Sequence, residues 1–158
     1  MLSAESLKKI DAAVAKYPAD QKQSAVMAAL ALAQREKGHL STEVMDFVAG
    51  YLGMAPVAVY EVASFYSMYD MAPVGKHKLC ICTNLPCALS GAVEAAEHLK
   101  KKLGIDWNET TADGRFTLKQ GECFGACGDA PVMLVNDRKM ASFMTLEAID
   151  KLLAELQK

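Results

Sequence analysis

The sequence predicts an α+β chain in two unlike halves. A bundle of four helices is expected over residues 1–74. An α/β domain with a four-stranded mixed sheet is expected over residues 75–158. Three observations carry this reading. Apolar residues recur at steps of three and four through the first half. A turn-rich stretch, residues 70–75, then breaks the pattern. After it the spacing alternates, with His77, Leu79 and Ile81 on one face of a strand and Lys78, Cys80 and Cys82 on the other.

The first predicted helix covers residues 4–16, with Leu7, Ile10 and Val14 on one face and Ser3 as N-cap. It ends at Tyr17-Pro18, because a residue before proline is pushed out of the helical region. The second covers residues 20–37, burying Val26, Met27, Leu30 and Ala33, and Gly38 stops it. Ser41 caps a third over residues 42–52, with Val44, Phe47, Val48 and Tyr51 inward. Gly53 comes next as its stop. Pro56 opens the fourth, at a position where its missing N–H costs nothing. The aromatic run Phe65-Tyr66-Ser67-Met68-Tyr69 reads either as packing between the two halves or as an exposed partner contact. His39, alone after Gly38, reads as a structural group. A bundle this small is expected to pack on the second half of the chain or on a partner.

The second half opens with a strand over residues 76–82. A helix is expected over residues 88–103, with Val93, Ala96, His98, Leu99 and Leu103 at helical spacing and Gly104 as its end. Asp113-Gly114 marks a turn, and residues 115–119 a short strand. Residues 132–143 read as a β-hairpin turning at Asn136-Asp137-Arg138. Thr145 caps a last helix with Leu146, Ile149, Leu152, Leu153 and Leu156 inward. The order strand, helix, strand, hairpin, helix fits a thioredoxin-type domain.

The chain of 158 residues is 52% hydrophobic and 23% charged, which is ordinary for a globular protein with a real core. A net charge of −2 gives no basic field to hold nucleic acid. The longest apolar run, residues 25–33, is half the length a bilayer requires, so no direct membrane insertion is expected. The amino-terminal residues lack the apolar core of a signal peptide. The expected compartment is a reducing cytoplasm, where spaced cysteines favour metal or redox chemistry over structural disulfides.

Four of the five cysteines form two close pairs far apart in sequence. Cys82 and Cys87 close a C-x4-C pair in CTNLPC. Cys123 and Cys127 close a C-x3-C pair in CFGAC. Each loop can offer two sulfurs to one side of a four-thiolate site, and a [2Fe–2S] cluster is the preferred occupant. Cys82 should end a strand, and Pro86 or Cys87 should begin a helix whose free N–H groups favour an anionic group. Gly121, Gly125 and Gly128 let backbone N–H groups approach sulfur. A structural zinc site is the competing reading, since zinc also accepts four thiolates. A thiol–disulfide oxidoreductase is a weaker one, because it would carry C-x-x-C at this junction. Cys80 shares a strand face with Cys82 and reads as a small buried hydrophobe. Trp107 reads as a packing anchor, and Lys100-Lys101-Lys102 as a solvated helix end or a docking patch. No catalytic triad, phosphate-binding glycine loop or paired carboxylate appears, and electron transfer needs none of them.

The stretches HKLCICTNLPCALSGA and DGRFTLKQGECFGACGDAPVMLVND resemble the thioredoxin-like [2Fe–2S] family, in particular the E subunits of bacterial NADH:quinone oxidoreductase (respiratory complex I). The stretch GHLSTEVMDFVAGYLGMAPVAVYEVASFYSMYDMAPVGKH resembles the helical domain of those subunits. The resemblance implies that Cys82, Cys87, Cys123 and Cys127 ligate one [2Fe–2S] cluster, the first pair holding one iron and the second pair the other. It implies an electron-transfer subunit of an NADH dehydrogenase with no activity alone. Its implied partners are a flavoprotein subunit that carries FMN and binds NADH, and other peripheral-arm subunits at the inner face of the cell membrane. NAD-linked hydrogenases and formate dehydrogenases use related subunits. The stretch RKMASFMTLEAI departs from relatives that carry more tyrosine and acid there, which bears on partner contacts near the last helix and leaves the ligands untouched.

Overall fold

The computed structural model describes residues 1–158, which divide into two compact units, Met1–Pro73 and Val74–Lys158. No helix is long and apolar enough to cross a membrane.

The first unit is helical. It contains α1 (Ala4–Val14), a 3-10 turn (Lys22–Ala25), α2 (Val26–Lys37), α3 (Thr42–Leu52) and α4 (Pro56–Phe65). The expected caps are present. Ser3 Oγ accepts from Ser6 N at 3.2 Å, and Ser41 Oγ from Val44 N at 3.4 Å. Gly38 ends α2 at φ +83°, a left-handed geometry that favours glycine. The second helix starts later than expected, because residues 22–25 wind as 3-10. Ile10, Leu30, Leu40, Val48 and Val59 fill the core. Tyr51 is not inward as expected. Met45, Val48, Ala49 and Leu52 bury the face of α3, and the Tyr51 hydroxyl reaches Asp11 instead. The aromatic run splits: Tyr69 is buried and donates to the Met27 carbonyl at 2.9 Å, while Phe65, Tyr66 and Met68 are exposed. Burial pushes the Tyr69 hydroxyl up to about 12.

The second unit is a four-stranded mixed sheet, in the order β2-β1-β3-β4. Its strands are β1 (His77–Cys82), β2 (Phe116–Gly121), β3 (Met133–Val135) and β4 (Lys139–Ala141). β1 runs parallel to β2 and antiparallel to β3, and β3–β4 form the hairpin. Asn136 and Asp137 both have positive φ, +53° and +55°, in the three-residue loop between the paired Val135 and Lys139, where Arg138 N donates to the Val135 carbonyl at 3.2 Å. The turn also serves β1. Asn136 Oδ1 accepts from Lys78 N at 2.7 Å, and Asp137 pairs with the buried Lys78 ammonium at 2.6 Å.

Three helices complete the unit: α5 (Leu85–Leu89), α6 (Ala92–Leu103) and α7 (Leu146–Leu156). Ala95, Ala96 and Leu99 of α6 and Ile149, Leu152 and Leu153 of α7 meet Leu79, Ile81 and Leu118 of the sheet. The single helix expected over residues 88–103 is two helices. Gly91 adopts φ +93°, and Ser90 Oγ donates back to the Pro86 carbonyl at 2.9 Å, which ends the first segment. Two residues expected inward, Val93 and Leu146, are exposed. Trp107 packs on the core, with Lys100 Nζ 4.5 Å from its ring centroid. The lysine run is tied down locally: Lys100 pairs with Asp106 and Lys102 with Asp150.

His77 begins β1 with both ring nitrogens buried, its ring 5.6 Å from that of Phe116. Burial, then the charge of Lys76, hold its pKa below the ordinary 6.5; the Leu156 backbone opposes this and Arg115 adds to it. The folded chain therefore binds fewer protons at this site than the unfolded chain. The resulting stability is fully present above pH 6.5 and is lost as pH falls through the depressed folded value. Chemical denaturation between about pH 7.5 and 5 should show a smaller loss of stability in His77→Phe than in the wild type.

Candidate metal centre

The site lies where β1 and β2 end side by side. Cys82 is the last residue of β1 and pairs across the parallel ladder with Gly121, the last residue of β2. Ligand sites in sheets of this kind form outside the carboxyl ends of parallel strands. The chain leaves β1 into residues 83–87 and leaves β2 into residues 122–127, so both cysteine loops emerge at one end of the sheet. Three bonds tie Thr83 and Asn84 of the first loop to the end of β2 and to Glu122 of the second loop. Thr83 N donates to the Gly121 carbonyl at 3.4 Å, Gln120 Nε2 to Thr83 Oγ1 at 2.7 Å, and Asn84 Nδ2 to Glu122 Oε2 at 2.6 Å.

The first pair is buried. Cys82 and Cys87 form a small apolar cluster with Ala92 and Val132, against which Phe124, Ala126 and Ala130 of the second loop pack. The helix at this pair begins at Leu85, earlier than Pro86 or Cys87, and spans only five residues. Burial raises the Cys82 thiol, and the neighbouring Cys87 and Cys123 sulfurs raise it further, while the Asn84 backbone N–H opposes them.

The second pair is exposed. Cys123 Sγ and Cys127 Sγ are 3.7 Å apart, and Gly125 N donates to Cys123 Sγ at 3.4 Å. Gly125 has φ +75°, so its conformational freedom is used to aim that N–H. The contact with Cys123 raises the Cys127 thiol, and the charge of Cys82 adds to it. Of the three glycines expected to bring N–H groups to sulfur, only Gly125 does so. Gly121 instead leaves room for a ring and a thiol, and Gly128 has open space above it.

These thiols fit a two-iron cluster. Two thiolates about 2.3 Å from one tetrahedral metal stand about 3.8 Å apart, and the Cys123–Cys127 separation is 3.7 Å. The sulfurs come two and two, with N–H donors at both pairs, as a cluster with one iron per pair requires. Cys80, the fifth cysteine, is half-buried and lies on β1 two positions before Cys82, with its sulfur over the Gly121 backbone. The bonds of Asn84, Glu122, Gln120 and Thr83 were not legible in the sequence, since they depend on the strand register.

The thioredoxin-like [2Fe-2S] ferredoxin family matches residues 10–157, and the chain belongs to that family. The E 2 subunit of the NADH-quinone oxidoreductase of Rhizobium meliloti is 48% identical over 128 residues, covering 81% of this chain and 75% of the relative. Subunit 2 of the NADH-quinone oxidoreductase of Thermus thermophilus is 40% identical over 143 residues, covering 90% of this chain and 79% of the relative. The mitochondrial NADH dehydrogenase [ubiquinone] flavoprotein 2 of Dictyostelium discoideum is 42% identical over 152 residues, covering 94% of this chain. The chain spans 62% of that relative's length. Among solved structures, an NAD+-reducing [NiFe]-hydrogenase in the H2-reduced state superposes with a TM-score of 0.70. The match covers 81% of this chain and 22% of the hydrogenase chain at 22% identity, a likeness of fold alone.

In the metal-free chain, the exposed Cys123 and Cys127 should be alkylated well before the buried Cys82 and Cys87, as followed by peptide mass spectrometry. Equal rates for the two pairs would contradict the placement of the first pair inside the apolar cluster.

Proposed function

We propose that this chain is the electron-transfer subunit of an NADH:quinone oxidoreductase of the respiratory complex I type, inactive alone. Cys82 and Cys87 would hold one iron of a [2Fe–2S] cluster, and Cys123 and Cys127 the other. The observation that carries the reading is the two-and-two gathering of these thiols at the carboxyl ends of paired parallel strands. A bound cluster supplies a one-electron carrier. The protein's own residues hold the sulfurs, direct the Asn84 and Gly125 N–H groups at them, and screen the first pair from water with Val132, Ala92 and Phe124. N–H donors and burial are the levers that set the potential of such a site.

The partner is an FMN- and NADH-binding flavoprotein subunit, joined with other peripheral-arm subunits at the inner face of the membrane. The identity to E subunits over most of both chains supports this assignment. The exposed second pair lies where a redox partner can approach. The helical residues 1–74 act as a docking domain, and residues 75–158 as the cluster domain.

Anaerobically purified chain should be brown, bleach with dithionite, and contain about two irons and two acid-labile sulfides. Cys→Ala at position 82, 87, 123 or 127 should lose the cluster, and Cys80→Ala should keep it. NADH should bleach the colour only once the flavoprotein subunit is added. A colourless chain that binds zinc, and stays colourless after anaerobic reconstitution with iron and sulfide, would overturn the proposal.

A further inference from the structure

The two thiol pairs come from different loops, so something must fix one against the other. The three polar bonds from the first loop, two to the end of β2 and one to Glu122, involve exposed side chains or a long backbone contact, and water competes for such bonds. One apolar contact does not share this weakness. Phe124, between Cys123 and Cys127, is half-buried and packs against the wall that contains Cys82, Cys87, Ala92 and Val132. The tip of its ring also abuts Gly121, the residue opposite Cys82 in the ladder. A Cβ on Gly121 would run into the end of the Phe124 ring, meet its Cε1 at 3.0 Å, and come within 2.8 Å of Cys80 Sγ. Gly121 is buried, and its φ is not positive, so its missing side chain serves space rather than conformation.

We propose that Phe124 is a positioning residue for the cluster. Seated in the gap left by Gly121 and beside Cys80, it registers the exposed Cys123–Cys127 pair against the buried Cys82–Cys87 pair. The inference rests on the [2Fe–2S] reading of the four thiols. It assigns Cys80 the task of flooring the gap, and Gly121 the task of leaving it open. Filling the gap from below displaces the ring, and shortening the ring leaves the second loop free to shift. Either change moves two sulfurs relative to the other two without touching a ligand.

The test uses the full chain carrying its cluster, with Gly121→Ala, Phe124→Leu and the double variant. The readouts are the reduction potential, the EPR g-values of the reduced state, and the half-life of the visible colour in air. Gly121→Ala should shift potential and g-values and shorten the half-life by about tenfold, the scale of losing a neighbour that orients ligands. Phe124→Leu should shift them in its own right. The double variant should lie closer to the wild type than Gly121→Ala does, because the shorter side chain vacates the space that the new methyl takes. Leu99→Ala is the control: it opens a cavity in the sheet–helix core, lowers Tm, and should leave potential and g-values alone. If Gly121→Ala does not fold, the Phe124→Leu result decides by itself. Wild-type potential and g-values in Phe124→Leu, an additive double variant, or an equal shift in Leu99→Ala would overturn the proposal. A wild type that binds no cluster would instead overturn the cofactor reading on which it rests.

Discussion

Where β1 and β2 end side by side, Cys82 pairs with Gly121, and the two cysteine loops leave the sheet about one strand spacing apart, roughly 4.8 Å. Everything at the site depends on this pairing. A slip of one residue would turn Cys82 to the other face of the sheet, where Leu79 and Ile81 meet the helices. The register is held by burial. Leu79, Ile81 and Leu118 are fully buried against α6 and α7, so a slip would expose them and bury Lys119 in their place. The core of the second unit is thus the scaffold for the two cysteine loops.

The site itself is divided. Its first pair belongs to the interior and its second to the surface. Without metal, both are placed at some cost to the thiolate form: burial raises Cys82, and the nearness of Cys123 raises Cys127. Metal ligation requires the thiolate, so a metal bound at Cys82 and Cys127 would have to displace those protons. A loop with glycine at a left-handed position and sulfurs in close approach is a place where local rules are expected to be broken for a site.

Much of this was legible in the sequence, for identifiable reasons. Helix caps are local chemistry, so Ser3, Ser41, Thr145, Gly38 and Gly104 marked their boundaries within a residue or so. The alternation of residues 77–82 separated the core face from the cysteine face. The spacing of the four cysteines predicted two close thiol pairs, and the structure brings both pairs to one end of the sheet. What failed depends on tertiary context. Val93, Leu146 and Tyr51 sit at helical spacing yet face outward, while Ala95 and Ala96, Ile149 and Leu152, and Ala49 and Leu52 take the buried faces of their helices. The break at Ser90-Gly91 needed a side chain to compete for a backbone carbonyl. Gly121 read as a residue that lets a backbone N–H approach sulfur, whereas its use is the room it leaves for Phe124 and Cys80, and only strand pairing brings those three together.

Two irons held by two separate thiol pairs are the central claim. The most direct measurement is Mössbauer spectroscopy of the chain reconstituted with isotopically enriched iron and sulfide. All bound iron in the oxidised state should be high-spin ferric in tetrahedral sulfur coordination, coupled into a diamagnetic pair. On uptake of one electron it should resolve into one ferric and one ferrous site. Iron in magnetically isolated single sites, or in sites with nitrogen or oxygen ligands, would contradict the claim.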